Sequence, residues 1–152
     1  PEFTAPGLGK KSNVVTIDID MEPNASGVLY ALGGSSGGLT LFMDRGKLVY
    51  EYNMLLIERY RAESAKAVSP GRHLIEVDTS VPRPGATASV VIRVDSQEVA
   101  RTTVKRTVPA AFTASETFDV GIDLGAPVSL DYAERRPFEF EGKIRHVKVE
   151  LK

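Results

Sequence analysis

The chain contains 152 residues, of which 42% are apolar and 26% charged, and its formal net charge is −1. This is the composition of an ordinary soluble domain with one core, and the nearly neutral charge argues against a nucleic-acid partner. No apolar run approaches the roughly 20 residues that cross a bilayer, so we expect no membrane partner. The absence of cysteine excludes disulfides, zinc–thiolate sites and thiol catalysis, and it leaves the compartment open, cytoplasmic or periplasmic.

The first residues carry no periodic pattern. Pro1-Glu2-Phe3 is typical of a junction left by cloning, and the stretch 4–9 after it is loose and rich in proline and glycine. We therefore predict a cloning remnant and linker over 1–13 and a single β-sandwich domain over 14–152. Both a cloning junction and a natural linker lead us to expect a longer parent polypeptide.

Short runs with period 2, rich in valine, isoleucine, threonine and aromatic residues, follow one another along the chain. The first run predicts a strand that buries Val15, Ile17, Ile19 and Met21 and exposes the residues between them. Further strands are predicted at 28–32, 39–43, 48–53, 58–63, 73–79, 89–94, 97–104, 117–122, 137–141 and 143–151. In the last of these, Val147, Val149 and Leu151 are predicted to face the core.

Turn residues separate these runs. Residues 44–47 predict a hairpin turn, and Asp95-Ser96 predicts a second one, because glycine accepts a positive φ and aspartate bonds the local backbone. The glycine-rich stretch 33–38 predicts a flexible turn. Over 53–61, a helical turn is an alternative to the predicted strands. The proline-containing stretches 82–85 and 108–111 predict crossing loops. Ten or eleven strands of this kind predict an all-β, two-sheet antiparallel sandwich.

The residues offer few candidates for chemistry. His73 and His146 lie on predicted strands without a second metal ligand at suitable spacing, so we interpret both as structural. Asp119, Asp123 and Asp131 are weak candidates for a hard cation such as calcium, since carboxylates supply its oxygen ligands. The alternative is a hydrogen-bonded loop without metal.

The densest mixture of aromatic and polar side chains follows the first predicted hairpin turn. Aromatic rings offer contact area while arginine and asparagine offer directional hydrogen bonds, which suits a sugar or a protein contact. The candidate residues are Tyr52, Asn53, Glu58, Arg59 and Tyr60. The alternative is two adjacent strands whose tyrosines lie at the edge of the core.

Several segments, in order and spacing, resemble the C-terminal region of long bacterial arylsulfatases. They are 27–34, 46–53, 58–60, 70–73, 106–109, 116–123 and 127–132. The resemblance runs from about Val14 to Leu151. It implies a concanavalin A-like jelly roll that follows a sulfatase catalytic domain absent from this chain.

The resemblance places the catalytic machinery outside this chain. Sulfatases carry a C/S-x-P-x-R motif whose first residue is oxidised to formylglycine beside a calcium ion. The stretch 68–72 aligns Pro70 and Arg72 with the motif but puts Val68 at the nucleophile position, where valine cannot be oxidised to an aldehyde. We therefore expect no catalytic residue and no cofactor here. Residues 55–57 depart from the family pattern, which has glycine there.

Three functions follow as hypotheses. The leading one is a non-catalytic accessory domain that packs on the sulfatase catalytic domain in cis and stabilises it. The first alternative is a lectin-like carbohydrate-binding module, which rests on the fold alone. The second alternative is a self-association module that uses exposed strand edges. The substrate of the parent enzyme and the oligomeric state stay open.

Overall fold

The computed structural model describes residues 7–109, 112, 118–124 and 126–152. It contains ten strands and a 3₁₀ helix. The strands are β1 (Asn13–Met21), β2 (Gly27–Gly34), β3 (Gly37–Asp44), β4 (Lys47–Met54), β5 (Glu58–Glu63), β6 (Gly71–Ser80), β7 (Ala88–Val94), β8 (Gln97–Val104), β9 (Phe118–Val120) and β10 (Gly142–Leu151). The 3₁₀ helix spans Leu130–Arg135, between β9 and β10.

The strands form two five-stranded antiparallel sheets. Sheet A has the order β10-β1-β6-β7-β8, and sheet B has the order β5-β4-β3-β2-β9. The main core lies between them, with side chains from both sheets in one cluster of buried residues. Packing two sheets face to face hides one side of each from water. The predicted two-sheet antiparallel sandwich is confirmed.

Strand β1 shows the predicted alternation. Val15, Ile17 and Ile19 are at most 1% exposed, while the residues between them are half-buried. β10 pairs with β1 at the edge of sheet A, and the register shifts between Asp18 and Ile19. Val147 and Val149 pack against the main core as predicted, whereas Leu151, at the end of this edge strand, is 51% exposed.

The central strands of sheet B are buried on both faces. Their inner face joins the main core, and their outer face is covered by residues 121–124 and 126–140, which we call the strap. The outer cluster consists of Val28, Ala31, Phe42, Val49, Val128, Tyr132 and Phe138. Burial on both faces explains why these strands read as nearly continuous apolar runs.

The two predicted hairpin turns are confirmed. Arg45 and Gly46 join β3 to β4 with φ of 52° and 83°, and Asp95 and Ser96 join β7 to β8 with φ of 50° and 71°. Positive φ at both central residues matches the twist of the flanking strands. The glycine-rich stretch differs from its prediction, because residues 33–34 and 37–38 pair with each other inside the ladder.

Three predicted elements are corrected. Residues 137–141 form no strand: they belong to the strap, and their ladder contact is one parallel bridge between Val28 and Glu139. Residues 82–85 connect β6 to β7 within sheet A, so this loop closes a hairpin and does not cross between sheets. Residues 55–57 form a turn and not a helix, with Leu55 and Leu56 at φ of 50° and 66°.

The structure also changes the predicted bounds of two segments, one before β1 and one at β9. Leu8 is 3% exposed within the main core, and the Ser12 hydroxyl donates to the carbonyl oxygen of Val81 at 2.9 Å. Residues 7–12 therefore pack on the sandwich, and the predicted linker boundary at residue 13 lies too far along the chain. The strand predicted at 117–122 is observed as β9 from Phe118 to Val120, while residue 117 lies outside the described residues.

Candidate functional site

The five residues predicted to contact a ligand divide between the two faces of sheet B. Tyr52 and Tyr60 are cross-strand partners on the inner face, where both join the main core. The Tyr52 hydroxyl donates to the carbonyl oxygen of Gly9 at 2.6 Å and accepts from the amide of Val108 at 2.7 Å. Tyr52 is 2% exposed, so its ring offers no stacking surface. The alternative that the tyrosines lie at the core edge describes this arrangement.

Glu58 and Tyr60 form a cluster at the rim between β5 and the end of β8. The Tyr60 hydroxyl donates to the Glu58 carboxylate, and Arg106 forms an ion pair with the same carboxylate. The hydrogen bond from Tyr60, and then the one from Arg106, lower the pKa of Glu58. Burial and the contact with Glu58 raise the pKa of Tyr60. This cluster ties the edge of sheet B to the edge of sheet A.

Asn53 and Arg59 have structural contacts on the other face. The Asn53 side-chain amide donates to the carbonyl oxygen of Ser35 at 2.9 Å and accepts from the amide of Leu56 at 3.0 Å, which fixes two turns. Asn53 is fully buried. Arg59 donates to Glu51 at 2.6 Å and to the carbonyl oxygen of Val128 at 3.0 Å. The five candidate residues therefore lie on both faces of sheet B, with Tyr52 and Tyr60 in the main core.

Polar side chains fasten the strap to the outer face of sheet B. Glu51 is 4% exposed and accepts from Arg59 and, at 3.0 Å, from the hydroxyl of Ser129. The hydroxyl of Tyr132 donates to Asp123 and lies 3.2 Å from the hydroxyl of Thr40. Burial, and then the neighbouring Asp123 carboxylate, raise the pKa of Tyr132. Tyr132 is therefore a fixed neutral donor at physiological pH.

The three candidate metal ligands do not converge. Asp119 accepts from the amide of Leu124 at 2.8 Å, and Asp123 accepts from the amide of Val128 at 3.0 Å. Asp131 pairs with Arg61. Within the described residues, no group of three or more histidine, aspartate or glutamate side chains could hold a metal ion. The carboxylates act as hydrogen-bonded loop anchors, which is the alternative stated for them.

A cleft of about 630 Å³ opens on the outer face of sheet B, beside the strap. The turn between β3 and β4 forms one wall, the edge strand β5 forms another, and the 3₁₀ helix forms the third. Val49 lies at the floor. The polar lining consists of Asp44, Arg45, Lys47, Arg61, Glu63 and Arg135. Four cationic and two anionic side chains leave two positive charges in excess, and Asp131 beside Arg61 reduces the excess to one.

Two of these cations are paired inside the protein. Arg135 donates to both oxygens of Asp44, at 3.1 and 3.2 Å, and its guanidinium lies 4.4 Å from the ring centre of Phe138. The hydrogen bond from Arg135 is the main reason that the pKa of Asp44 is lowered. Arg61 contacts Asp131, and it lies 3.4 Å from a carboxylate oxygen of Glu63. Both guanidinium groups are therefore held in place.

The other two cations are exposed. Arg45 and Lys47 flank Gly46, and neither has an ion-pair partner in the part of the chain that the structure describes. Their turn is rigid, because the Gly46 amide donates to Ala25 at 2.8 Å and the Gly46 carbonyl accepts from Val68 at 2.8 Å. The cleft thus presents two solvated positive charges, carried by a rigid turn, next to two ion-paired arginines.

The Asp44–Arg135 pair makes stability depend on pH. Because the folded pKa of Asp44 is lowered, the pair stabilises the protein above the ordinary aspartate pKa of about 4 and loses this effect as the pH falls through the lowered value. We expect Asp44→Asn to cost at most about 1 kcal/mol at neutral pH, since both side chains are partly exposed, and almost nothing at pH about 2. Urea unfolding at both pH values measures this. Glu22→Gln is the control, and a cost of Asp44→Asn that does not change with pH would contradict the prediction.

Ser69, His73 and Asp95 resemble a catalytic triad in their distances but not in their hydrogen bonding. His73 Nδ1 lies 2.6 Å from an Asp95 oxygen, and Nε2 lies 3.2 Å from the Ser69 hydroxyl. Nε2 also lies 2.7 Å from the carbonyl oxygen of Ser69, which can only accept. The Ser69 hydroxyl is thus not the nearest partner of Nε2, which faces a backbone carbonyl as well. His73 joins the loop before β6 to the turn after β7, so its predicted structural role describes what it does.

The sequence reasoning missed the cleft. Its residues come from the β3–β4 turn, from β5 and from the strap, so no local motif contains them. A signal existed in the alternation on β5, where Arg61 and Glu63 flank the buried Ala62 and therefore share the outer face. The presence of Arg135 in the cleft could not be predicted in this way, because the path of the strap across sheet B determines its position.

The ten antiparallel strands in two packed sheets, with connections that pass repeatedly between the sheets, are those of a concanavalin A-like jelly-roll sandwich. The predicted fold class is therefore confirmed in full. No helix in the described part of the chain is long and apolar enough to cross a membrane.

Comparisons with solved structures agree with this fold, although no family model and no curated protein matches the sequence. Domains LG4-5 of the mouse laminin α1 chain superpose with a TM-score of 0.66 over 94% of this chain, at 15% identity. The LG1-3 region of the laminin α2 chain gives 0.64 over 92%, at 16% identity. This chain spans 36% and 28% of those two chains.

A bacterial structure matches over more of its own length. The CBM40 domain of the Ruminococcus gnavus IT-sialidase, solved bound to α2,3-sialyllactose, superposes with a TM-score of 0.66. The match covers 95% of this chain and 79% of that chain, at 12% identity. At such identities the likeness establishes the shared fold.

Proposed function

We propose that this chain is a non-catalytic, lectin-like module that binds a saccharide in the cleft on the outer face of sheet B. The observation that carries the proposal is the cleft itself: about 630 Å³ in volume, open to solvent, and lined by charged side chains of which Arg61 and Arg135 are held by ion pairs. Its volume lies within the range of small-ligand sites. Guanidinium groups with fixed positions can donate two parallel hydrogen bonds, which suits hydroxyl and acidic groups on a sugar ring.

The fold adds support of a general kind. A module of this fold, the sialidase CBM40 domain, has been solved with a saccharide bound. Its superposition covers 95% of this chain and 79% of that domain. A shared fold does not transfer a binding site, so the argument rests on the residues of the cleft. The three polar groups that most resemble a catalytic set, Ser69, His73 and Asp95, join the loop before β6 to the turn after β7.

Binding to a panel of immobilised saccharides, neutral and acidic, tests the proposal. We expect saturable retention of the wild-type chain on at least one saccharide, and loss of that retention in Arg61→Gln, which removes a guanidinium group from the wall formed by β5. Arg101→Gln, which removes an exposed guanidinium group from β8 in sheet A, is the control and should leave retention unchanged. No retention on any saccharide would contradict the proposal.

A second proposal concerns the parent protein. The resemblance to the C-terminal region of bacterial arylsulfatases favours a module that follows a sulfatase catalytic domain and packs on it in cis. One structural feature suits such a contact: Leu56 and Ile57, in the turn between β4 and β5, are 62% and 63% exposed. Adjacent exposed apolar side chains are typical of a contact surface. Formylglycine and calcium would then belong to that catalytic domain. A parent reading frame without a C/S-x-P-x-R motif upstream would contradict this proposal.

A further inference from the structure

We infer that the saccharide bound in this cleft is acidic, and that Arg45 and Lys47 recognise its sulfate or carboxylate groups. The inference rests on the proposed function, because it names the class of saccharide that the same cleft accepts. It starts from the distribution of charge. The whole chain has a formal net charge of −1, yet this cleft, with Asp131 counted, has one positive charge in excess.

The position of the two exposed cations supports an anionic ligand. Arg45 and Lys47 flank one turn residue, so their side chains leave the same rigid hairpin end. Neither has an ion-pair partner among residues 7–109, 112, 118–124 and 126–152. Because the backbone of this turn is already held, binding of an anion orders only the two side chains. They also attract anions before contact, which speeds association at low salt.

The paired arginines give the cleft its selectivity. The charges of Arg135 and Arg61 are neutralised by Asp44, Asp131 and Glu63. The two arginines therefore contribute N–H donors at defined positions but add little to the positive electrostatic potential of the cleft. The expected ligand therefore carries one or two acidic groups near Arg45 and Lys47, with hydroxyl groups facing the arginines. A densely charged polyanion would instead meet the carboxylates of Asp44 and Glu63, which repel it.

Calorimetric titration of the full chain with three probes tests the inference: a κ-carrageenan tetrasaccharide with two sulfates, a galacturonate disaccharide with two carboxylates, and neutral maltotetraose. We expect an acidic probe to bind and the neutral probe to bind at least about tenfold more weakly. Raising the salt concentration from about 0.02 M to about 0.3 M should weaken the acidic complex, because salt screens exposed charges. The two acidic arms distinguish recognition of sulfate from recognition of carboxylate.

Substitutions that act in opposite directions locate the site. Arg45→Gln with Lys47→Gln should weaken the acidic complex about tenfold or more, since two charge-assisted contacts are lost. Glu63→Gln removes a repelling carboxylate and should strengthen it severalfold. Arg83→Gln with Lys105→Gln, exposed cations on loops of sheet A, changes the net charge by the same amount and should have no effect beyond about twofold.

The outcomes separate the two proposals. Neutral maltotetraose that binds as tightly as the acidic probes, or an acidic complex unaffected by the substitutions at Arg45 and Lys47, would overturn the inference and leave the saccharide-binding function standing. Equal weakening by the control pair would show a non-specific charge effect and would also overturn it. No binding of any probe would overturn both.

Discussion

Gly27→Ala is expected to destabilise the protein by at least about 4 kcal/mol, because it combines backbone strain with a steric clash. Gly27 has φ of 122°, a conformation that side-chain-bearing residues rarely adopt. A methyl group there would lie 2.3 Å from the carbonyl oxygen of Glu139 and from Cα of Phe140. Both neighbours are backbone atoms and cannot turn away, so β2 or the end of the strap must move.

Gly71→Ala is the matched control for this prediction. Gly71 has φ of 103°, and a methyl group there meets no atom within 4 Å. Its cost should therefore be that of strain alone, about 1 to 3 kcal/mol. Urea unfolding of both variants, with the same slope against denaturant, gives the difference. Equal losses would show that the close approach of the strap to Gly27 does not limit stability.

The comparison of Gly27 with Gly71 also shows which parts of the fold could be predicted from sequence. Local patterns are sufficient for β1, whose alternation is set by one buried face, and for the hairpin turns, whose residues accept positive φ. The close approach at Gly27 joins residues more than one hundred positions apart. No local pattern contains that information, and the sequence around Gly27 predicts only the start of a strand.

The same limit explains the errors at the candidate site. Tyr52 and Arg59 were grouped because they are close in sequence and chemically varied, yet successive strand residues point to opposite faces. Tyr52 therefore enters the main core while Arg59 contacts the strap. The cleft needs the 3₁₀ helix to place Arg135 beside Asp44, which lies 91 positions earlier. A cleft whose side chains come from distant parts of the chain cannot be predicted from local sequence patterns.

Phe42→Ala is expected to cost about 3 to 5 kcal/mol and to release the strap from sheet B. Phe42 is fully buried on the outer face, with its ring 5.1 Å from that of Tyr132 and 6.2 Å from that of Phe138, both in edge-on orientation. Its removal leaves a cavity under both strap aromatics. Hydrogen exchange should show amides of the strap opening at a lower free energy than those of the strands.

Leu41→Ala separates loss of the strap from general destabilisation. Leu41 precedes Phe42 in β3, is also fully buried, and faces the main core between the sheets. Its truncation should cost a similar amount, about 2 to 5 kcal/mol, without a selective loss of protection in the strap. Phe42→Leu, which keeps most of the volume, provides a version that folds if alanine does not. Equal strap protection in the Phe42 and Leu41 variants would contradict the prediction.

The two variants should also differ in ligand binding. Arg135 reaches the cleft because the 3₁₀ helix is held by Tyr132 against Phe42 and because its guanidinium lies over the ring of Phe138. Release of the strap removes Arg135 and the Arg61–Asp131 contact from one wall, while Arg45 and Lys47 stay on their hairpin. Phe42→Leu should therefore weaken the acidic complex more than Leu41→Ala does, even though it costs less stability. We therefore expect the affinity of the cleft for an acidic saccharide to depend on packing in the outer cluster of sheet B rather than on packing in the main core.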